Sequence, residues 1–327
     1  METADIRKQT IKGFMKCSSC AHSMVMASKD RHQTPVDEKL LKGVTGLAGG
    51  VATMGDICGM VNGAVVSLGK RLATVYAKPE EEWKIAYLSH EFYRQTEIAV
   101  GTCSCGDIHG GKHLAKNFRR AILTGKALKC IEMLYKGSGI LDEQIAGIPY
   151  DPAYFSSPRA EEVCSRHEHF RENQFHCCRS TLQAIQDKSG LDMSFLQDAA
   201  TGFIGGIGFS GTLCGAVVGG ILAAGAVHGV DPRKKDYVDT LKLLYHGLLK
   251  SDKVWTDSKI FKAAKTYECS MKIYKVVESS FGSCDCSTIT GLDIEKPETF
   301  SAYKAKAGIA SCRSLVDRVV QETLSSL

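Results

Sequence analysis

The cysteines of this chain recur in two matching sets. Cys20, Cys58, Cys103, Cys105 and Cys130 are followed, in the same order, by Cys177, Cys214, Cys284, Cys286 and Cys312. Around Cys58, residues 47–69 read LAGGVATMGDICGMVNGAVVSLG; around Cys214, residues 203–225 read FIGGIGFSGTLCGAVVGGILAAG. They align without a gap and agree at eight of 23 positions: six glycines, one valine and the cysteine. GTCSCGDIHG (101–110) returns as GSCDCSTITG (282–291). Such self-similarity marks one structural unit made twice. Whatever one half folds into, the other must closely follow. Core packing does not require sulfur at repeated positions, so the repeat is also a statement about chemistry.

The spacing divides the chain into a first repeat over 1–140, a connector over 141–160 and a second repeat over 161–327. Within the connector, GIPYDPAYFSSPRA carries Pro149, Pro152 and Pro158, which interrupt any helix. From Cys58 to Cys105 is 47 residues, and from Cys214 to Cys286 is 72. The surplus falls near DPRKKDYVDTLKLLYHGLLKSDK (231–253) and reads as an inserted helix. Apolar residues follow a 3.6-residue period over 82–100, 112–135, 253–281 and 299–327, while strand-like alternation is scarce. The expected fold is all-α: two tandem helical-bundle repeats, each of about five helices, packed as a pseudo-twofold dimer. Gly55, Gly59 and Gly63, and likewise Gly211, Gly215 and Gly219, are four apart and would line one helix stripe. That stripe would admit a close backbone neighbour or a bulky inorganic group.

Composition narrows the function. The net charge of +5 is spread along the chain, which gives a nucleic-acid role no support. Residues 201–230 contain no Asp, Glu, Lys or Arg and are long enough to span a bilayer. Ten glycines in that stretch, and Asp56 at the centre of its counterpart, argue instead for the interior of a helical domain and against membrane insertion. The opening METADIRKQTIKGFMK lacks the apolar core of a secretory signal. Fourteen cysteines without a signal point to the reducing cytoplasm, where grouped thiols bind metal or exchange electrons.

Three chemistries fit. An iron–sulfur cluster takes four thiolates, structural zinc takes four ligands on one ion, and thiol–disulfide exchange needs two thiols in reach. Zinc modules favour paired C-x₂-C knuckles. Here single cysteines and C-x-C pairs are separated by 25 residues or more, as expected for thiols converging from different helices. The candidate cages are Cys20/Cys58/Cys105/Cys130 and Cys177/Cys214/Cys286/Cys312.

CGMVNG (58–63) and CGAVVG (214–219) resemble the core of the C-GCAxxG-C-C family of redox-active proteins, whose relatives include the non-haem module of split-Soret cytochromes. FGSCDCSTITGLD (281–293) resembles that family's Cys-x-x-Leu-x-Gly stretch, with Ile289 for the leucine and Cys286 as the family cysteine. The resemblance covers most of both halves, as a tandem duplication. It implies redox activity with bound iron–sulfur and names no substrate. The chain has no C-x-x-C-H; Cys17-Ser-Ser-Cys20-Ala-His22 misses it by one residue, so covalent haem is not implied.

Cys103, Cys284, Cys17 and Cys178 are further candidate cofactor thiols, which leaves the cluster's size open. Cys164 and Cys269 lack counterparts and read as structural. Cys164, His167, His169, His176, Cys177 and Cys178 could form a second metal site, though Arg166, Glu168, Arg171 and Glu172 give the segment the look of a solvated helix. His90, His109 and His113 read as ordinary surface or core histidines. Asp56 reads as a helix cap, with proton relay as the alternative. The expectation is an iron–sulfur electron carrier or store with a redox partner protein, and with room for homo-oligomerisation. The alternatives are a metal-free thiol–disulfide oxidoreductase and a soft-metal binding or sensing module.

Overall fold

The computed structural model describes residues 5–112, 114–147, 151–249, 254–305 and 308–327. Pro149 of the connector lies outside them, as does His113. The elements are α1 (Ile6–Cys17), α2 (Cys20–His32), α3 (Glu38–Val44), α4 (Ala48–Val51), α5 (Gly59–Leu72), α6 (Trp83–Val100), α7 (Cys105–His109), α8 (Leu114–Leu123), α9 (Leu128–Ala146), α10 (Pro158–Glu172), α11 (Cys177–Ser189), α12 (Gly215–His228), α13 (Tyr237–Leu249), α14 (Ala264–Phe281), α15 (Cys286–Thr290), α16 (Pro297–Ala305) and α17 (Gly308–Ser326). The chain is all-α: among the described residues the only β pairing is two isolated bridges.

The duplication is visible element by element. In the first half α5 packs on α2, α6 and α9; in the second, α12 packs on α11, α14 and α17. Helices α6 and α14 both end at a left-handed glycine, Gly101 and Gly282, and each leads into a C-x-C segment. Between α12 and α14 stands α13, where the first half has the 3₁₀ turn Pro79–Glu81 between α5 and α6. Helix α9 passes residue 140 to end at Ala146, and α10 begins at Pro158; among the described residues between them, Pro152–Phe155 form a 3₁₀ turn.

The halves are interleaved about a pseudo-twofold relation. In each, the segment before the glycine-rich turn packs on the other half's central helix. A Cβ placed on Gly46 would fall 2.7 Å from Ile221 and against Ser270; one on Gly202 would fall 2.6 Å from Val65 and against Ser89. Helix α3 lies on α12, and α10 crosses to α6. Buried side chains of both halves form one continuous core. A twofold packing of this kind is how a duplicated dimer-forming unit buries its apolar faces.

The glycine stripes are shorter than expected. Helices α5 and α12 start at Gly59 and Gly215, so Gly55 and Gly211 precede them, in turns with φ of 82° and 74°. The remaining stripe is a packing surface. A Cβ on Gly59 would meet the Cys20 sulfur at 2.6 Å, and one on Gly63 would meet Ala21 Cα at 2.9 Å. The missing side chains let α2 lie against α5 and bring Cys20 beside Cys58. No helix among the described residues is long and apolar enough to cross a membrane.

At the junction of the halves His90 on α6 is 1% exposed, 3.6 Å from the Glu295 carboxylate and close to Arg159 and Arg166. Burial lowers its pKa to about 4, and burial does the same to His167 on α10. The folded protein therefore resists protonation that the unfolded chain accepts below pH 6.5, and stability falls as pH drops from 6.5 towards 4. His90→Gln should flatten this slope by roughly 2 kcal/mol between pH 7 and pH 5 in urea unfolding; an unchanged slope would exclude His90 as a source.

Candidate functional site

Hydrogen bonds at the two isolated bridges place the central thiols. Cys58 N donates to Cys103 O (2.7 Å) and Cys105 N to Asp56 O (2.8 Å). Cys214 N donates to Cys284 O (2.8 Å) and Cys286 N to Thr212 O (2.7 Å). Each half thus clips the turn before its central helix to the C-x-C segment, in the same register. Cys20 and Cys177 open α2 and α11, Cys58 and Cys214 are the N-caps of α5 and α12, and Cys105 and Cys286 open α7 and α15. The N-terminus of a helix favours the thiolate form.

Cys20, Cys58, Cys105 and Cys130 line one cavity of about 390 Å³. Its walls are apolar, from Phe14, Ile108, Ala121 and Ile131 of the first half and Leu243, Trp255 and Tyr267 of the second. Helix α13 and the segment after it therefore close the first half's thiol set. At the rim, Met15, Leu128 and Leu244 are exposed. Cys20 accepts a hydrogen bond from the Cys58 thiol and from backbone N–H groups that include Gly49, which pulls its pKa down; the paired Cys58 is pushed up. Burial raises Cys130 to about 12 and moves Cys105 upward as well.

His109, which the sequence reading left aside, belongs here. It is buried, its Nε2 lies 3.3 Å from Cys130 Sγ, and its Nδ1 has no partner. Its position four residues after Cys105 puts both on one helix face, and that spacing is the signal that would have found it. Trp255 Nε1 is a second buried, unpartnered donor on the same cavity.

The second set also converges: the Cys286 thiol lies within the electrostatic reach of Cys214, Cys177 and Cys312. All four are buried, and burial raises each of them. Here Tyr303 stands among the thiols. Its hydroxyl is 3.4 Å from Cys312 Sγ, and the phenol also faces Cys177 and Cys286.

The other candidate thiols point elsewhere. Cys103 and Cys284 donate to the carbonyls of Tyr93 (3.6 Å) and Tyr274 (3.3 Å). Cys17 donates to Ser19 O at 3.7 Å, and Cys178 is buried in α11, where the bare face of Gly219 comes close to its carbonyl. Cys269 donates to Ser326 O (3.3 Å), and Cys164 is half-buried on α10. Among the described residues no group of three or more His, Cys, Asp or Glu is arranged to hold a metal ion. Of the histidines of 164–178, His167 and His176 lie near each other, but His176 caps α11 and meets Thr201 O at 3.1 Å, while His169 packs edge-on to Phe300. Asp56 caps no helix. It accepts from Ile57 N (2.6 Å) and, across the pseudo-twofold, from the Tyr274 hydroxyl (2.7 Å). Burial raises its pKa to about 6.

Compared with known proteins, residues 18–144 and 175–325 each match the model of the family described as "Putative redox-active protein (C_GCAxxG_C_C)". The chain belongs to the C-GCAxxG-C-C family, in two copies. Helix α10 lies between the matched segments. No curated protein and no solved structure gives a significant match.

Proposed function

We propose that the chain is an iron–sulfur redox protein that passes or stores electrons for a redox partner protein in the reducing cytoplasm. The observation that carries this reading is the cavity lined by Cys20, Cys58, Cys105 and Cys130, held from separate helices. Four thiols around one space fit a cluster in which each thiolate binds a different iron. The unpartnered donors of His109 and Trp255 fit as well, because hydrogen bonds to cluster sulfur tune its potential. When bound, such a cluster supplies one-electron chemistry. The chain's own part is to keep Cys20 deprotonated, to hold Cys58 and Cys105 in register through the backbone clip, and to exclude water with apolar walls.

One observation favours a second reading, metal-free thiol–disulfide chemistry. Cys20 has a lowered pKa and touches the Cys58 thiol, as a reactive dithiol requires. The pair in reach is Cys20 with Cys58, in place of the C-x-x-C pair Cys17 and Cys20. Closing that disulfide would release two electrons and two protons to an oxidant. Iron and acid-labile sulfide in anaerobically purified protein, with its visible spectrum, decide between them. The cluster reading expects coloured protein with iron and sulfide in equal amounts. Colourless protein that still lacks both after reconstitution, and that forms a reversible Cys20–Cys58 disulfide, would replace it with the second.

A further inference from the structure

The two thiol sets share a backbone frame but differ in the space they enclose. Cys312 and Cys130 are matched cysteines, and nine residues before them stand Tyr303 and Ala121 respectively. Ala121 is buried and lines the 390 Å³ cavity of the first set. In the second set the Tyr303 ring stands among the thiols: its hydroxyl reaches Cys312 Sγ at 3.4 Å and the phenol faces Cys177 and Cys286. That ring cannot swing aside cheaply. It is stacked between Phe170 (5.8 Å, 7°) and Phe300 (5.6 Å, 10°), and Phe170 itself packs on Phe209 and Phe175. Close-packed aromatic interiors admit no inserted group without displacing a side chain.

Two more differences run the same way. His109, at the Cys130 thiol, has Thr290 as its counterpart, whose hydroxyl is satisfied by the carbonyl of Cys286 at 2.8 Å. The wall formed by Leu243, Trp255 and Tyr267 comes from the second half and lies on the first set. The first set therefore has room and unpartnered buried donors. The second holds the Tyr303 ring among its thiols.

We propose that the sets are unequal: the first accepts an iron–sulfur cluster, and Tyr303 closes the second against one, giving one cluster per chain. This rests on the iron–sulfur reading above. The closed set then serves as a buried thiol core whose sulfurs pack against Tyr303.

Iron and sulfide stoichiometry after anaerobic reconstitution of the full chain tests this. Cys214→Ser should leave the content unchanged, Cys58→Ser should abolish it, and Tyr303→Ala should raise it towards twice the starting value. Loss of half the iron in Cys214→Ser would overturn the proposal. A chain that takes up no iron or sulfide would instead end the cluster reading. The inequality is then read by iodoacetamide labelling of the native metal-free protein. Cys20 and Cys130 should label well before Cys177, Cys214, Cys286 and Cys312, and equal labelling would overturn it. Tyr303→Phe, which keeps the ring and removes the hydroxyl, should keep the second set closed; uptake by this variant equal to that of Tyr303→Ala also counts against the proposal.

Discussion

On the proposed iron–sulfur reading, Cys58→Ser should leave the protein folded and prevent it from holding a cluster. Cys58 is the N-cap of α5, with its N–H bonded to Cys103 O, and serine is a favoured residue at such a cap. Its hydroxyl can also replace the thiol as donor to Cys20, so unfolding stability should change by less than about 1 kcal/mol. The metal chemistry has no such substitute. Changes to groups that only orient a ligand already lower metal affinity by about 10–100-fold. Loss of a ligand should therefore lower iron content by roughly tenfold or more, with the visible spectrum lost in step. Cys103→Ser is the matched control two positions from Cys105. Its thiol donates to Tyr93 O and does not line the cavity, so iron content should stay at the starting level. Equal loss in both variants would mean that iron content follows the backbone bridge from Cys58 N to Cys103 O and not the sulfurs that line the cavity.

The different directions of Cys103 and Cys105 within one C-x-C pair are something the sequence could not supply. The repeat announces itself in identities between Gly49–Gly69 and Gly205–Gly225, and those identities account for the matched helices and for which cysteine answers to which. Two-residue spacing says nothing about direction, however. Cys103 and Cys105 straddle Ser104, where the chain turns from the bridge into α7, and the bridge sends one sulfur to a carbonyl and the other to the cavity. Periodicity likewise joined segments that the structure divides. The 112–135 pattern breaks at Gly125, whose φ of 72° ends one helix before the next begins at Leu128. The charge-free stretch before Cys214 winds through left-handed glycines and becomes helical only from Gly215. The parts that make the sets unequal were the least legible. Trp255 reaches the first set from the far half, and Tyr303 differs from Ala121 in a region with no identities to anchor an alignment. Long-range placement of this kind depends on tertiary packing and leaves no local pattern.

Gly63→Ala should be among the most damaging single-methyl changes in the chain. The three atoms nearest the added Cβ are all backbone of Ala21: its carbonyl oxygen, its Cα at 2.9 Å and its C at 3.0 Å. No side chain is there to rotate away, so α2 must move off α5 as a body. Overpacking of a close-packed core typically costs about 1–3 kcal/mol and more where backbone must shift. A destabilisation of about 3 kcal/mol or more is therefore expected, although alanine is the better helix former by about 1 kcal/mol. The displacement also has a chemical reading, because Cys20 opens α2 and faces Cys58 across this contact. Iron content should fall even under conditions where the variant remains folded. Gly13→Ala in α1 separates sterics from propensity. Its Cβ would meet only Ser23, at an ordinary 3.7 Å, so it should stabilise by about 0.5–1 kcal/mol and keep its iron. Urea unfolding of the two variants beside the parent reads both effects. If Gly63→Ala matched Gly13→Ala in stability and iron content, the close approach of α2 to α5 could not be what brings the thiols together.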